Sequence, residues 1–113
     1  MMRPKLMAVL IAGLLGTVQA GPAMADGVSY LIVFKDGTFT PSRLEVPSGG
    51  SIKIVLRNAG KTPVEFESRS LRKEKVLGAG VESFVVLRGP SKGDYDFFDD
   101  FHPDAGKGVI AVK

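Results

Sequence analysis

The chain has 113 residues, with 15 Lys plus Arg against 12 Asp plus Glu, one His, no Cys and no Trp, which fits one compact domain and excludes a multidomain enzyme. A formal charge of +3 spread over both signs offers no concentrated basic face, so neither nucleic acid nor an anionic membrane is expected as the main partner. Without cysteine the chain can form no disulfide and hold no thiolate-bound metal, so any metal must be held by oxygen and nitrogen.

The first element in chain order is a leader. Met1 to Lys5 gives a positive start, Leu6 to Leu15 a nearly unbroken apolar run, and Ala23-Met24-Ala25 the small-x-small pattern that a signal peptidase reads. This predicts a cleavable export signal over residues 1–25, a cut before Asp26, a single domain over residues 26–113 and, for a bacterial-style protein, a periplasmic location. The apolar run falls well short of the roughly 20 residues that cross a bilayer, and Gly13, Gly16 and Pro22 interrupt it, so the processed chain is not expected to insert into the membrane. Arg3 and Lys5 leave with the signal, so 13 basic residues face an unchanged 12 acidic ones.

From Val28 onward apolar residues recur with a period of two between turn signals, and no window carries a helical stripe longer than two turns. The pattern predicts strands at Val28 to Lys35, Arg43 to Val46, Ser51 to Asn58, Val64 to Ser68, Lys73 to Leu77, Glu82 to Arg88, Gly93 to Phe98 and Gly108 to Lys113. Asp36-Gly37, Pro47 to Gly50, Ala59 to Lys61, Gly78 to Gly80 and Gly89 to Gly93 supply the reversals between them. Ile52, Ile54 and Leu56 alternate with Lys53, Val55 and Arg57, one face buried and the other mostly wet. So many short strands in so short a chain cannot build two cores. The expected fold is all-β, a two-sheet Greek-key sandwich of seven or eight strands. Phe39, Phe66, Phe84 and Phe97 are expected in its core.

Two clusters stand out from this scaffold. In Glu65-Phe66-Glu67, alternation puts both carboxylates on one face of a strand. Asp99-Asp100-Phe101-His102-Pro103-Asp104 packs three carboxylates and the only histidine into six residues. Carboxylates that close repel and raise one another's pKa values, which a cation would relieve. The same composition also suits a solvated turn whose aspartates cap backbone NH groups, with Glu65 and Glu67 pairing with Arg69, Arg72 or Lys73.

The run from Gly93 to His102, followed by Gly106-Lys107-Gly108 and the apolar Val109 to Val112, resembles the C-terminal signature of the cupredoxins. The segments Thr38 to Gly50, Asn58-Ala59-Gly60 and Thr62-Pro63-Val64 are similar to that family too. Laid on the blue-copper pattern, His102 keeps a ligand position, Asp99 stands at the Cys, Lys107 at the Met, and Val64 or Glu65 at the first His. The thiolate that gives a blue-copper centre its bonding is missing, so the type 1 site is excluded. One imidazole with several carboxylates is a harder donor set, suited to Fe(II), Fe(III), Mn(II) or a non-blue Cu(II).

The strings Val64-Glu65-Phe66-Glu67-Ser68 and Phe97 to Pro103 resemble a narrower group, the cupredoxin-like periplasmic proteins and EfeO-type domains of bacterial ferrous-iron uptake systems. That resemblance implies a metal site of Glu65, Glu67, Asp99 and His102, with Asp100 and Asp104 as further or outer ligands, iron and possibly copper as the bound metals, and an inner-membrane iron permease as partner. Lys107 is expected to pair with a surplus carboxylate. Three functions remain open at this point: an iron-handling partner of the permease or a copper-delivery relative of it, a ferroxidase, and a metal-free adaptor docking through Arg69, Arg72, Lys73 and Lys75.

Overall fold

The computed structural model describes residues 29–113, so the predicted export signal lies outside the described residues. Nine strands follow in order: β1 Ser29–Lys35, β2 Thr38–Thr40, β3 Arg43–Val46, β4 Ser51–Asn58, β5 Val64–Ser68, β6 Lys73–Leu77, β7 Glu82–Arg88, β8 Gly93–Asp99 and β9 Lys107–Val112. They form two sheets, β2-β1-β4-β7 and β3-β9-β8-β5-β6. The chain crosses between sheets five times, after β2, β3, β4, β6 and β7. Two pairings are parallel, β1 with β4 and β3 with β9, and the rest are antiparallel.

The period-two pattern sets the layers. In β4, Ile52, Ile54 and Leu56 face inward, while Ser51, Lys53 and Arg57 face out. Ile32 and Phe34 of β1, Val85 and Leu87 of β7, Val64 and Phe66 of β5, Phe97 of β8 and Ile110 of β9 complete the core between the sheets. Each such side chain contributes roughly 1.5 to 3 kcal/mol by leaving water. At one end the core is aromatic. Phe39 and Phe97 lie 5.0 Å apart, Phe66 and Phe97 5.6 Å, and Phe34 and Phe39 5.9 Å, all with tilted rings. Gly108 makes room for this cluster, because a Cβ there would collide with the Phe97 and Phe39 rings.

Two departures from the sequence expectations are physical. The three-residue strand β2 was not expected. It forms because Asp36 (φ 44°) and Gly37 (φ 89°) make a tight turn with both φ values positive, which returns Thr38–Thr40 against β1. Phe84 was expected in the core but is 47% exposed. It points out of β7, beside its register partner Val55, with the Lys53 ammonium 4.6 Å above its ring. Apart from a 3-10 turn at Pro103–Ala105, no helix interrupts the sandwich among the described residues. None there is long and apolar enough to cross a membrane.

Candidate metal centre

Three connections meet beyond the aromatic end of the core: the β1–β2 turn, the β4–β5 loop and the β8–β9 loop. Buried Asn58 shapes the second of these. Its Nδ2, with two hydrogens to donate, lies within hydrogen-bond reach of three carbonyls, Thr62 (2.8 Å), Gly78 (3.0 Å) and Leu77 (3.2 Å), so that one hydrogen is shared, and its Oδ1 accepts from Gly60 N at 3.0 Å. The loop then packs on the first turn so closely that a Cβ at Gly60 would sit 2.7 Å from Asp36. Asp36 Oδ1 accepts from Lys61 N (2.9 Å), Thr62 N (3.1 Å) and Thr62 Oγ1 (3.0 Å). Those donors, the Lys61 amide foremost, hold the Asp36 carboxyl below the usual aspartate value.

Strand alternation decides what each acidic residue does. In β8, Phe97 faces inward, Phe98 outward, and Asp99 inward again with 1% exposure. Asp99 Oδ1 accepts from the amides of Glu65 and Phe101, both at 3.0 Å, and Oδ2 lies 2.7 Å from His102 Nδ1. The other ring nitrogen, Nε2, is 3.3 Å from Thr62 Oγ1. Asp99 and His102 therefore hold each other and, through Thr62 and Asp36, tie all three connections together. The ring also lies over the first turn, where a Cβ at Gly37 would approach His102 Cδ2 to 3.6 Å.

The next residue turns the other way. Asp100 N donates to Glu65 O at 2.9 Å, which sets Asp100 beside Glu65 on the outer face of the five-stranded sheet. Glu65, Glu67 and Asp100 each present an oxygen there, all within 4.8 Å of one another. Oxygens bound to one small divalent ion at about 2.1 Å stand at most about 4.2 Å apart, so small side-chain rotations close this trio on a cation. Partial burial pushes the Glu65 carboxyl above its ordinary value, and a hydrogen bond to Glu74 and the charges of Asp100, Glu74 and Glu67 push it further.

The six residues singled out in the sequence thus divide. Glu65, Glu67 and Asp100 come together outside the sheet, and Asp99 and His102 pair inside the loop end. Asp104 is exposed in the 3-10 turn and is not one of the trio. Lys107 pairs with Asp96, Nζ to Oδ2 3.9 Å.

Three participants were not singled out as part of the site. Glu74 is the register partner of Glu67 across the β5–β6 hairpin, visible only once that register is known. Asp36 and Thr62 lie far from the Asp-rich loop in sequence, Asp36 marked only by its turn chemistry and Thr62 only by the family-like segment Thr62-Pro63-Val64.

These geometries do not fit a type 1 copper centre. The Cys position holds an aspartate whose two oxygens already have three partners, and the matching His has both ring nitrogens engaged. The Met position holds a surface lysine.

A family model described as Cupredoxin-like domain matches residues 6–112. A curated relative, the uncharacterized protein RP394 of Rickettsia prowazekii (strain Madrid E), is 37% identical over 82 residues, 73% of this chain and 66% of its own length. Among solved structures, the fold is similar to three domains. One is a purple cupredoxin from Nitrosopumilus maritimus (20% identity, 74% of this chain and 99% of that one, TM-score 0.59). Another is the "blue" copper protein auracyanin A from Chloroflexus aurantiacus (13% identity, 76% and 98%, TM-score 0.64). The third is the metal binding domain of the Streptococcus pneumoniae D39 Cu(I)-exporting P-type ATPase CopA (15% identity, 75% and 84%, TM-score 0.65). At these identities the structures speak for the fold alone, while the family model covers nearly the whole sequence, and the chain belongs to the cupredoxin-like domain family.

Proposed function

We propose that this chain is an exported metal-binding protein that takes up ferrous iron through Glu65, Glu67 and Asp100 and presents it to an inner-membrane iron permease. The observation that carries this reading is the convergence of three carboxylates on one patch of sheet, with Glu74 crowding Glu65. Such a patch carries a standing electrostatic cost that a hard or borderline divalent cation removes, and an all-oxygen donor set suits Fe(II) or Mn(II) over Cu(I). The leader supports export, and the likeness of the Glu-x-Glu strand to ferrous-iron uptake proteins supports iron over manganese. In this reading Asp99 and His102 set the position of Asp100 from behind. Copper(II) is the second ion to test, because two of the fold neighbours, auracyanin A and the CopA metal binding domain, are copper proteins.

Anaerobic calorimetric titration with Fe(II), Mn(II) and Cu(II) tests the proposal. Fe(II) is expected to bind one site, and Glu65→Gln/Glu67→Gln to weaken it by at least a hundredfold. Binding of none of the three ions overturns the reading in favour of a metal-free adaptor. Admitting oxygen afterwards and following Fe(II) loss tells a carrier, which leaves the rate unchanged, from a ferroxidase, which raises it.

A further inference from the structure

The carboxylate trio has cationic neighbours that a site for a bare cation should avoid. Arg69 Nε lies 3.5 Å from Glu67 Oε2, so Glu67 cannot turn to a metal without weakening that pair. The guanidinium is also stacked on Phe98, 5.0 Å from the ring centroid, which keeps it in place whether or not Glu67 remains its partner. Phe98 faces outward next to Glu67, and its register partner on the far side is Lys107. Between these residues lies an open cavity of about 290 Å³, lined by Arg69, Phe98, Asp100, Pro103, Gly106 and Lys107. Asp100 therefore belongs both to the trio and to the cavity wall.

The donors in this cavity are those that recognise carboxylates. A guanidinium offers a planar fork for one carboxylate, an ammonium a point charge for another, and a ring and a proline an apolar floor for the carbons between them. Its volume lies at the lower edge of the range of small-molecule sites, room for a compact ligand only.

We propose that this cavity holds a small di- or tricarboxylate whose remaining oxygens complete the coordination of the metal on Glu65, Glu67 and Asp100, so that the cargo is a chelate and not the bare ion. The proposal rests on the ferrous-iron reading above and extends it. The charge pattern then has a use: the trio neutralises the metal, and Arg69 and Lys107 neutralise its chelator. When Glu67 turns to the metal, Arg69 loses its partner while still held by Phe98, so cation and anion favour each other's binding by the same factor.

Anaerobic equilibrium dialysis with radiolabelled citrate, with and without Fe(II), tests this. Fe(II) is expected to raise citrate retention at least tenfold. Arg69→Gln/Lys107→Gln should abolish that retention while leaving Fe(II) affinity in citrate-free buffer unchanged or higher, since both changes remove positive charge near the ion. Fe(II) retained from a citrate-containing buffer with no citrate retained beside it overturns the chelate proposal and leaves the metal site standing. Equal loss of Fe(II) and citrate in the double variant overturns it too, by showing a merely structural role for the two cations. Citrate retained equally without iron makes the cavity an independent anion site and overturns the coupling. If wild-type protein retains neither, the metal-binding reading falls and takes this one with it.

Discussion

Asp99 and Asp100 are neighbours in the chain and opposites in the fold. Asp99 points between the sheets, is 1% exposed and has three partners. Asp100 points outward and joins two glutamates of like charge, adding to the repulsion on Glu65. The backbone makes this difference: Asp99, the last residue of β8, keeps the inward alternation of Phe97, while Asp100 opens the turn and hydrogen-bonds back to Glu65 O. The same residue type thus stabilises the loop end at one position and adds repulsion at the next, where a ligand can relieve it. Inward carboxylates fix the frame, and outward ones leave coordination free.

The largest expected effect comes from breaking the inward half. Asp99→Ala strands the amides of Glu65 and Phe101 and the His102 ring, and should cost about 3 to 5 kcal/mol in urea unfolding. Asp100→Ala should stay within about 0.5 kcal/mol of wild type without metal. Similar losses at both positions would mean that the two aspartates do not differ in the way described.

Next in size is stabilisation by the ligand itself. Fe(II) at a hundredfold excess over its Kd should raise unfolding stability by about 2.7 kcal/mol if it binds only the native state. The rise should persist in His102→Gln and vanish in Glu65→Gln/Glu67→Gln. Its loss in His102→Gln as well would make the imidazole a ligand, as the sequence pattern leads one to expect, and would move the site toward the loop end.

The smallest effect is on pH. Glu65 has a raised folded pKa, so ionised Glu65 destabilises the metal-free fold, and that penalty lifts as pH falls from neutral toward the ordinary glutamate value of about 4.3. Asp36 has the opposite sign: its contribution is present above the ordinary aspartate value of about 3.9 and is lost as pH falls through its lower folded pKa. The two together should bow the stability curve upward in mild acid. Glu65→Gln should flatten the upper limb, with a gain at pH 7 below about 1 kcal/mol, as read from urea midpoints across pH.

Much of the sandwich was legible in the sequence. The bounds of β3 through β7 follow from alternation punctuated by Gly, Pro and Asp, and the structure places them where that pattern ends. Three residues, Thr38 to Thr40, were too few to show a period, so β2 went unread. Phe84 misled because aromatic character suggests burial, whereas its register puts it on the wet face of β7. The carboxylate site was half legible. Glu65 and Glu67 share a face by their spacing alone. The sequence put Asp99, Asp100 and His102 in one loop, and only the structure shows that Asp99 turns inward to His102 while Asp100 turns outward to Glu65 and Glu67. Thr62 and Asp36 join only through contacts between distant segments, which no local pattern encodes, and Glu74 joins through the register of the β5–β6 hairpin.

The position of β9 has a consequence for how the molecule is made. It lies between β3, which it meets in parallel from far along the chain, and β8, which it meets as a hairpin partner. Until β9 arrives, β3 has no neighbour in its sheet, and the backbone groups facing the gap have only water as partner. Pairings that distant close slowly, because the chain entropy is lost before the contacts are made. β3 therefore gains its place in the five-stranded sheet only when β9 has formed, whereas the β5–β6 hairpin closes locally, and the outward carboxylates of β5 gain their companion Asp100 only when β8 has docked.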